Sequence, residues 1–315
     1  MLRGKSTMPI NRRQLILNSA GLGAYFAFSA QPLAAADDQR ATIHSKTIPS
    51  TGELLPVIGL GTNRWVAAGS KSAIDQLRGT LLAFKKMGGR VIDTAPSYRT
   101  SEKALGHLIA ELGFADAFFL ATKVDRNGKQ DGIARMQNSL EQLGIDSVDL
   151  MQVHNLRGAE TQLTTLMEWK EQGTIRYIGA TTSRTSQFAE MELLMKTYPL
   201  DFVQLNYSLR DREAEERLLP IARDKGIAVM VNRPFAHGHL FSAFENQALP
   251  QWAAEMGCQS WAQFFLKYVV SHPAVTCTIP GTTNERHVVD NMGAGFGEQP
   301  DAQMRRKQED LFAAL

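Results

Sequence analysis

Eight short runs rich in β-branched and apolar residues alternate with longer amphipathic segments along most of this chain. Segments such as 132–144, 160–173, 186–198 and 213–226 have helical periodicity, and several end at a glycine that suits a helix C-cap. The strand-like runs begin at Val57, Arg90, Ala117, Ser147, Ile175, Phe202, Ala228 and Ala274. Eight repeats of strand and helix without a long low-complexity linker predict one closed α/β fold, a (β/α)8 TIM barrel.

A doubly wound parallel sheet is the alternative fold for such a repeat. That fold needs a glycine-rich turn after its first strand, and the stretch GLGTN at residues 59–63 lacks the third glycine. Ahead of the first barrel strand, residues 46–55 predict a short β-hairpin that closes the barrel floor. We therefore expect a single barrel domain over residues 37–315.

The composition is that of an ordinary globular protein, with 43% hydrophobic and 21% charged residues in 315. The formal net charge of +2 arises from four basic residues near the N-terminus: Arg3, Lys5, Arg12 and Arg13. Without these four, the 34 lysines and arginines fall to 30, against 32 acidic residues. This balance argues against a nucleic acid or an anionic membrane surface as partner.

Residues 1–36 have the layout of an export signal rather than of folded structure. A basic start precedes a weakly apolar region at residues 15–30 and a small-residue run that ends at Ala36, which predicts cleavage before Asp37. The stretch NRRQLIL, with Arg12 and Arg13, resembles a twin-arginine signal. A general secretory signal and an uncleaved anchor are the alternatives. The twin-arginine hypothesis predicts recognition by export machinery and a periplasmic location, cytoplasmic before export, without stable membrane insertion of the mature protein.

The two cysteines, Cys258 and Cys277, are each expected to be buried thiols, although one disulfide after export is the alternative. Neither cysteine has a neighbour at a metal-binding spacing. Two histidines in the stretch AHGHL, His237 and His239, are interpreted as parts of a glycine-rich loop on the substrate side rather than as metal ligands. The sequence therefore predicts no metal site.

Titratable side chains stand at the ends of three successive predicted strands. The second run ends at Asp93 with Tyr98 on its loop, the third ends at Lys123, and the fourth ends at His154. In parallel barrels, the C-terminal ends of the strands point into the mouth of the active site. Each residue alone has a structural explanation, such as a helix cap, a surface lysine or a core histidine. All four on one rim favour a catalytic site.

These four side chains suit proton delivery to a carbonyl oxygen. A tyrosine with a pKa near 10 becomes a usable acid when a cation lowers that pKa, and Lys123 can supply the cation beside Tyr98. Asp93 balances the buried ammonium, and a neutral His154 can orient the substrate oxygen. Since no side chain donates hydride to the carbonyl carbon, a nicotinamide cofactor is implied.

The motifs IDTAPSY, ATKV, VDLMQVH, IRYIGATT, VQLNYS and IPGTTNERHVVDNMGAG occur in this order on the predicted strands. Together they resemble the aldo-keto reductases over residues 47–295. The resemblance implies Tyr98 as general acid/base assisted by Lys123 and Asp93, with His154 orienting the carbonyl. It also implies direct hydride transfer between NADPH and a small carbonyl substrate, without a metal.

The resemblance also implies a set of cofactor contacts. Thr181 and Thr182 stand where the family has a Ser-Asn pair for the nicotinamide carboxamide, and Gln204 matches a further carboxamide-binding residue. Asn232 stands at the position of the usual stacking aromatic, and Arg233 is expected near the pyrophosphate. The remaining expected contacts are Pro234, Phe235, Gly281, Thr282, Asn284, Arg286, His287 and Asn291. Because Gly281 and His287 replace basic residues of the family's 2′-phosphate clamp, NADPH is expected with NADH as the alternative.

Several alternatives stay open at the level of sequence. The same barrel could serve as a nucleotide-binding sensor or interaction subunit with little turnover. Trp65 is either a wall of the substrate pocket or ordinary rim packing. The C-terminal segment 298–315 either covers the mouth or packs on the barrel wall, and aromatic residues near 252–265 are expected in the core. A monomer is expected.

Overall fold

The structure, a computed structural model, describes residues 42–66 and 70–315. The predicted export signal lies outside these described residues. A two-stranded antiparallel hairpin, β1 (Ser45–Thr47) and β2 (Leu54–Pro56), precedes eight strands in one parallel sheet whose order follows the chain. The strands of this sheet are β3 (Leu60–Gly61), β4 (Val91–Asp93), β5 (Phe119–Val124), β6 (Val148–His154), β7 (Ile175–Thr181), β8 (Phe202–Asn206), β9 (Ala228–Asn232) and β10 (Cys277–Thr278).

Helices follow the strands and surround the sheet, as the alternation in sequence predicts. They are α1 (Lys71–Lys86), α2 (Ser101–Leu112), α3 (Lys129–Leu143), α4 (Ala159–Glu171), α5 (Phe188–Thr197), α6 (Leu218–Lys225), α7 (His239–Ala243), α8 (Trp261–Ser271), α9 (Glu285–Gly293) and α10 (Ala302–Ala313). Gly144 and Gly226 end α3 and α6 in the left-handed conformation, with φ of 68° and 66°.

Two parallel bridges join the first and last strands and close the barrel. They pair Ile58 with Thr278 and Gly61 with Gly281. A Cβ atom on Gly61 would lie 2.8 Å from the Ile279 carbonyl oxygen, so glycine is required there by the close approach of two backbones. The glycines of GLGTN therefore serve barrel closure, and the predicted (β/α)8 barrel is confirmed.

The hairpin closes the N-terminal end of the barrel, as predicted. Ile48 and Leu55 are fully buried against the inner core, which also contains Phe119, Tyr177 and Phe202. Lys46 fastens the hairpin to the end of α8, because its Nζ donates to three backbone carbonyls at 2.7, 2.9 and 2.7 Å. Apolar side chains thus fill the floor, and polar residues are left at the opposite end of the strands.

The C-terminal helix α10 packs on the outer wall of the barrel. Arg305 lies over the Tyr268 ring of α8, 4.1 Å from its centroid, and the Gln308 amide donates to the Phe264 carbonyl at 3.0 Å. Phe264 and Phe265 of α8 are fully buried, as predicted, and Trp252 and Trp261 are half-buried and pack against the core. The tail therefore does not contribute to the lining of the catalytic cavity described below.

Both cysteines, Cys258 and Cys277, are buried and unpaired. Burial raises the pKa of the Cys277 thiol to about 12, so it behaves as a small apolar side chain. Within residues 42–66 and 70–315, no helix combines the length and hydropathy that crossing a bilayer requires.

Candidate active site

A buried ion pair lies at the C-terminal ends of β4 and β5. The Lys123 Nζ donates to both oxygens of Asp93, at 2.8 and 2.7 Å, and to the Thr94 carbonyl at 2.6 Å. Asp93 is 2% exposed and Lys123 is 0% exposed. Burial by itself lowers the pKa of Lys123, but the Asp93 carboxylate and the Tyr98 oxygen outweigh burial and hold that pKa above its usual value. Lys123 is therefore a permanent cation in the site.

Two buried amides complete the surroundings of Asp93. Gln204 Nε2 donates to Asp93 Oδ1 at 2.8 Å, and Gln152 Nε2 lies 3.4 Å from the same oxygen. The Gln204 carbonyl in turn accepts from the Thr181 hydroxyl at 3.0 Å. Gln152 was not predicted from the sequence, although a polar residue two positions before His154 in the apolar run LMQV is the signal that could have identified it.

Tyr98 lies on the loop after β4, next to the Lys123 cation and to His154. The Lys123 Nζ is 5.1 Å from the centroid of the Tyr98 ring, and the Tyr98 and His154 ring centroids are 6.0 Å apart at an angle of 86°. Burial raises the pKa of Tyr98, and Lys123 opposes this rise only in part. The expected lowering is therefore wrong as a net shift, because desolvation of the phenol outweighs the neighbouring ammonium.

His154 ends β6 in the neutral form. Burial lowers its pKa to about 4, and the Lys123 cation lowers it further in the same direction. At pH 7 its ring therefore has one donor nitrogen and one acceptor nitrogen, as expected. Ser97, which was also not predicted, places its Oγ 3.4 Å from His154 Nδ1.

The loops around these residues have an unusual backbone. All six non-glycine residues with positive φ in the described ranges lie on the loops after β4, β6 and β9, with φ between 47° and 58°: Arg99, Asn155, Leu156, Arg233, Ala236 and His237. Such conformations cost of order 1 kcal/mol or more for each residue, and they concentrate at functional sites. The strain therefore marks the C-terminal end of the barrel as the functional face.

A cavity of about 590 Å³ opens at this face. Asp93, Tyr98 and His154 line it, while Lys123 lies buried beneath. Of the expected cofactor contacts, seven line the same cavity: Thr181, Gln204, Asn232, Arg233, Pro234, Phe235 and Gly281. The structure thus brings together the four expected catalytic residues and the cofactor residues of the strand ends.

Asn232 carries a buried oxygen that suits an amide ligand. Its Nδ2 donates to the Thr182 carbonyl at 3.0 Å, whereas its Oδ1 has no hydrogen-bond partner among the described residues. A buried acceptor without a donor is unfavourable by about 1–3 kcal/mol. A carboxamide NH₂ group placed in the cavity would supply the missing donor, so the residues present fit a nicotinamide.

The other expected cofactor contacts lie outside this cavity. Thr182 is buried, and its hydroxyl donates to Gln187 Oε1 at 2.6 Å. Asn284 caps α9 by accepting from the Arg286 amide at 2.9 Å, and the Thr282 hydroxyl accepts from the Asn284 amide at 3.0 Å. Asn284 and Arg286 line a separate surface groove between α1 and α9.

The last two expected contacts are also on α9. His287 Nδ1 is 3.5 Å from the Thr282 hydroxyl, and Asn291 is buried about one turn further along the helix. Trp65 is fully buried and donates from Nε1 to the Thr282 carbonyl at 2.8 Å. It belongs to the rim packing beneath this segment and not to the cavity wall, which decides between the two alternatives for Trp65.

The fold and the site together define an enzyme of the (β/α)8-barrel class, with its reactive groups at the C-terminal ends of the strands. A family model described as the aldo/keto reductase family matches residues 57–309. The chain therefore belongs to this family, and it is an NAD(P)H-dependent oxidoreductase. Within the described residues, no group of three or more potential metal ligands is present.

Similar proteins include the aldo-keto reductase YhdN of Bacillus subtilis, 32% identical over 214 residues. That match spans 62% of this chain and 62% of the relative's length. The NADH-specific methylglyoxal reductase of Escherichia coli is 30% identical over 240 residues, which span 65% of this chain and 72% of that protein. A crystal structure of a Klebsiella pneumoniae aldo/keto reductase with NADP and acetate superimposes with a TM-score of 0.69 at 26% identity, covering 83% of this chain and 93% of that one.

Proposed function

We propose that this protein reduces an aldehyde or ketone to the corresponding alcohol with hydride from NADPH, and that Tyr98 supplies the proton. One observation carries the proposal: a tyrosine, a neutral histidine and an aspartate line one cavity at the C-terminal ends of the strands, and the aspartate is paired with a lysine buried beneath the cavity. When bound, NADPH supplies hydride to the carbonyl carbon. The electron pair of the C=O bond moves to oxygen, which takes a proton from the Tyr98 hydroxyl.

Each of the four residues has a distinct part in this proposal. The raised pKa keeps Tyr98 protonated at neutral pH, so that it is an acid until the carbonyl oxygen gains charge. Lys123 stabilises the tyrosinate left after transfer, and Asp93 holds Lys123 in place. His154, neutral at pH 7, donates a hydrogen bond to the carbonyl oxygen and orients it beside the Tyr98 hydroxyl.

The cofactor assignment rests on the polar groups at the strand ends. The unpartnered Asn232 Oδ1 and the adjacent Gln204 support contact with a carboxamide, and Arg233 in the cavity lining supports contact with the pyrophosphate. Arg286 at the start of α9 is the basic residue available to a 2′-phosphate. NADPH is the proposed cofactor on this basis, with NADH as the alternative that a direct comparison of the two would reveal.

The Tyr98→Phe variant tests the proposed function. We expect it to bind NADPH as the wild type does, while carbonyl-dependent NADPH oxidation falls by roughly 10²–10⁴-fold because the general acid is lost. Tyr198→Phe, at the end of α5 and outside the cavity, is the matched control and should keep full activity. Turnover of no aldehyde or ketone by the wild type, despite tight nucleotide binding, would instead support a nucleotide-binding sensor on this barrel.

We also propose that residues 1–36 direct export by the twin-arginine route. The basic start, weakly apolar middle and Ala-rich end support this proposal. Replacing both Arg12 and Arg13 by lysine should leave the protein in the cytoplasmic fraction, whereas Arg3→Lys should not. Periplasmic protein that begins at Asp37 is the expected wild-type product. Export of the double-lysine variant at the wild-type level would indicate a general secretory signal.

A further inference from the structure

The loops at the catalytic face carry a strong excess of positive charge. The eight loops that follow the barrel strands contain nine arginines and five acidic residues, and four of the acidic residues lie on one loop, residues 207–217 after β8. The loop after β10 has no charged residue, and the other six loops contain one arginine each with a single acidic residue, Asp125. The arginines of these six loops are Arg64, Arg99, Arg126, Arg157, Arg184 and Arg233. The mature chain as a whole is close to neutral, so the positive charge is concentrated where the cavity opens.

Most of these arginines are not balanced by carboxylates. Arg126 pairs with Asp125, which also binds Arg135. The other five form no ion pair with any described residue. Arg233 donates from Nη1 to the Ser183 carbonyl at 2.6 Å, and its pKa is lowered by burial and then by the nearby Arg184. Like charges close together beside a cavity favour an anionic ligand.

One unpaired arginine, Arg64, lines the cavity beside the groups that act on the carbonyl, and two others, Arg99 and Arg157, are exposed on the loops that carry those groups. Arg64, on the loop after β3, lines the cavity together with Tyr98 and His154. Arg99 directly follows Tyr98 and has a φ of 57°. Arg157 closes a tight turn onto His154, because its backbone N–H donates to the His154 carbonyl at 3.2 Å. Arg184 and Arg233, on the loops after β7 and β9, are left for the cofactor pyrophosphate.

We propose that the substrate is an anionic carbonyl compound, an aldehyde or ketone with a carboxylate or phosphate group that Arg64 binds and that the positive charges of Arg99 and Arg157 at the rim help to attract. This inference rests on the proposed function and specifies its substrate class. A guanidinium matches a carboxylate or phosphate through two parallel hydrogen bonds, whereas it gains nothing from a neutral alkyl chain. The positive rim also raises the encounter rate of anions, and added salt screens this effect.

Two matched pairs of substrates test the proposal on the full chain. The first pair is 4-carboxybenzaldehyde and its neutral ester, methyl 4-formylbenzoate; the second is glyceraldehyde 3-phosphate and glyceraldehyde. We expect kcat/KM to be about 10-fold higher for the anion of at least one pair at low salt. The ratio should fall toward 1 in about 0.5 M NaCl, where the Debye length is only a few ångströms. The preferred pair distinguishes carboxylate from phosphate.

Charge removal at the rim connects the preference to these arginines. Arg64→Gln and Arg157→Gln should each lower kcat/KM for the preferred anion by roughly 3- to 10-fold, mainly through KM, with little change for the neutral partner. NADPH affinity should stay at the wild-type value. Arg306→Gln, an exposed arginine on α10, changes the net charge equally and should have no effect.

The outcomes separate this inference from the proposed function. Equal kcat/KM for anionic and neutral partners at low salt in both pairs would overturn the inference while leaving the reductase proposal intact. A second result would also overturn the inference: weaker NADPH binding in Arg64→Gln and Arg157→Gln, together with equal losses of kcat/KM for the anionic and the neutral substrate. These arginines would then be assigned to cofactor binding. Absence of turnover with all four compounds and other carbonyls contradicts the proposed function, and the inference falls with it.

Discussion

Lys123 connects the stability of the barrel with the chemistry of its mouth. Its ammonium donates to both Asp93 oxygens and to the Thr94 carbonyl, and it lies below the Tyr98 ring. A buried ion pair of this kind is not by itself a strong source of stability, because desolvation offsets the attraction. Removal of one partner is nevertheless costly, since the other charge stays buried. The pair is therefore better explained by its effect on Tyr98 than by folding alone.

The Lys123→Met variant should lose about 3–5 kcal/mol of unfolding free energy, because Asp93 remains buried without its cation. The double variant Asp93→Asn/Lys123→Met should recover most of this stability without recovering carbonyl reduction. Urea unfolding and NADPH oxidation measure the two effects. Lys129→Met, which breaks an exposed pair with Glu168, should cost less than about 1 kcal/mol. A double variant as unstable as Lys123→Met would contradict this account of the charge pair.

At the scale of the elements, the strands and their polar ends could be predicted from the sequence. A β-branched run that ends in Asp, Lys or His is visible without a structure, and the structure places Asp93, Lys123 and His154 at the expected strand ends. Gln152 was not predicted, because its partner Asp93 is 59 residues away and only the closed barrel brings them together. Local periodicity gives the face of each strand but not its neighbours across the interior.

The loops were the part that sequence patterns could not predict. The positive φ values at Arg99, Leu156 and Arg233 occur in residues that rarely adopt the left-handed conformation, so no composition signal marks those positions. The position of Trp65 depends on its hydrogen bond to the Thr282 carbonyl, across the seam between β3 and β10. The packing of α10 against α8 likewise depends on tertiary contacts of Arg305, and the sequence left both alternatives for the tail open.

For the whole molecule, two buried histidines couple stability to pH from opposite ends of the barrel. His154 lies at the mouth, and burial followed by the Lys123 cation lowers its pKa to about 4. His272 lies at the end of α8 near the floor, and burial, Arg305, Lys46 and Arg223 lower its pKa to about 4 as well. Its Nδ1 accepts from the Ala274 amide at 3.2 Å, which requires an unprotonated nitrogen.

The sign of the pH effect follows from these lowered pKa values. Unfolded histidine has a pKa near 6.5, so below about pH 6.5 the unfolded chain binds protons that the folded chain does not bind until about pH 4. The stability contribution of each histidine is therefore fully present above about pH 6.5 and is lost as the pH falls toward 4. Between pH 7 and pH 5, each histidine should lower the free energy of unfolding by about 1–2 kcal/mol. The lower end of this range allows for the partial exposure of the two side chains to solvent.

Urea unfolding of the wild type, His272→Gln and His154→Gln at pH 7 and pH 5 measures this loss. Between the two pH values, the free energy of unfolding of each single variant should fall by about 1–2 kcal/mol less than that of the wild type. In the double variant, the two reductions should add because the sites are far apart. His107→Gln, which replaces an exposed histidine on α2, is the control and should follow the wild type. A pH dependence unchanged in His272→Gln would mean that His272 can be protonated in the folded state. The Lys46, Arg223 and Arg305 cations around it would then be better screened than the packing of the barrel floor indicates.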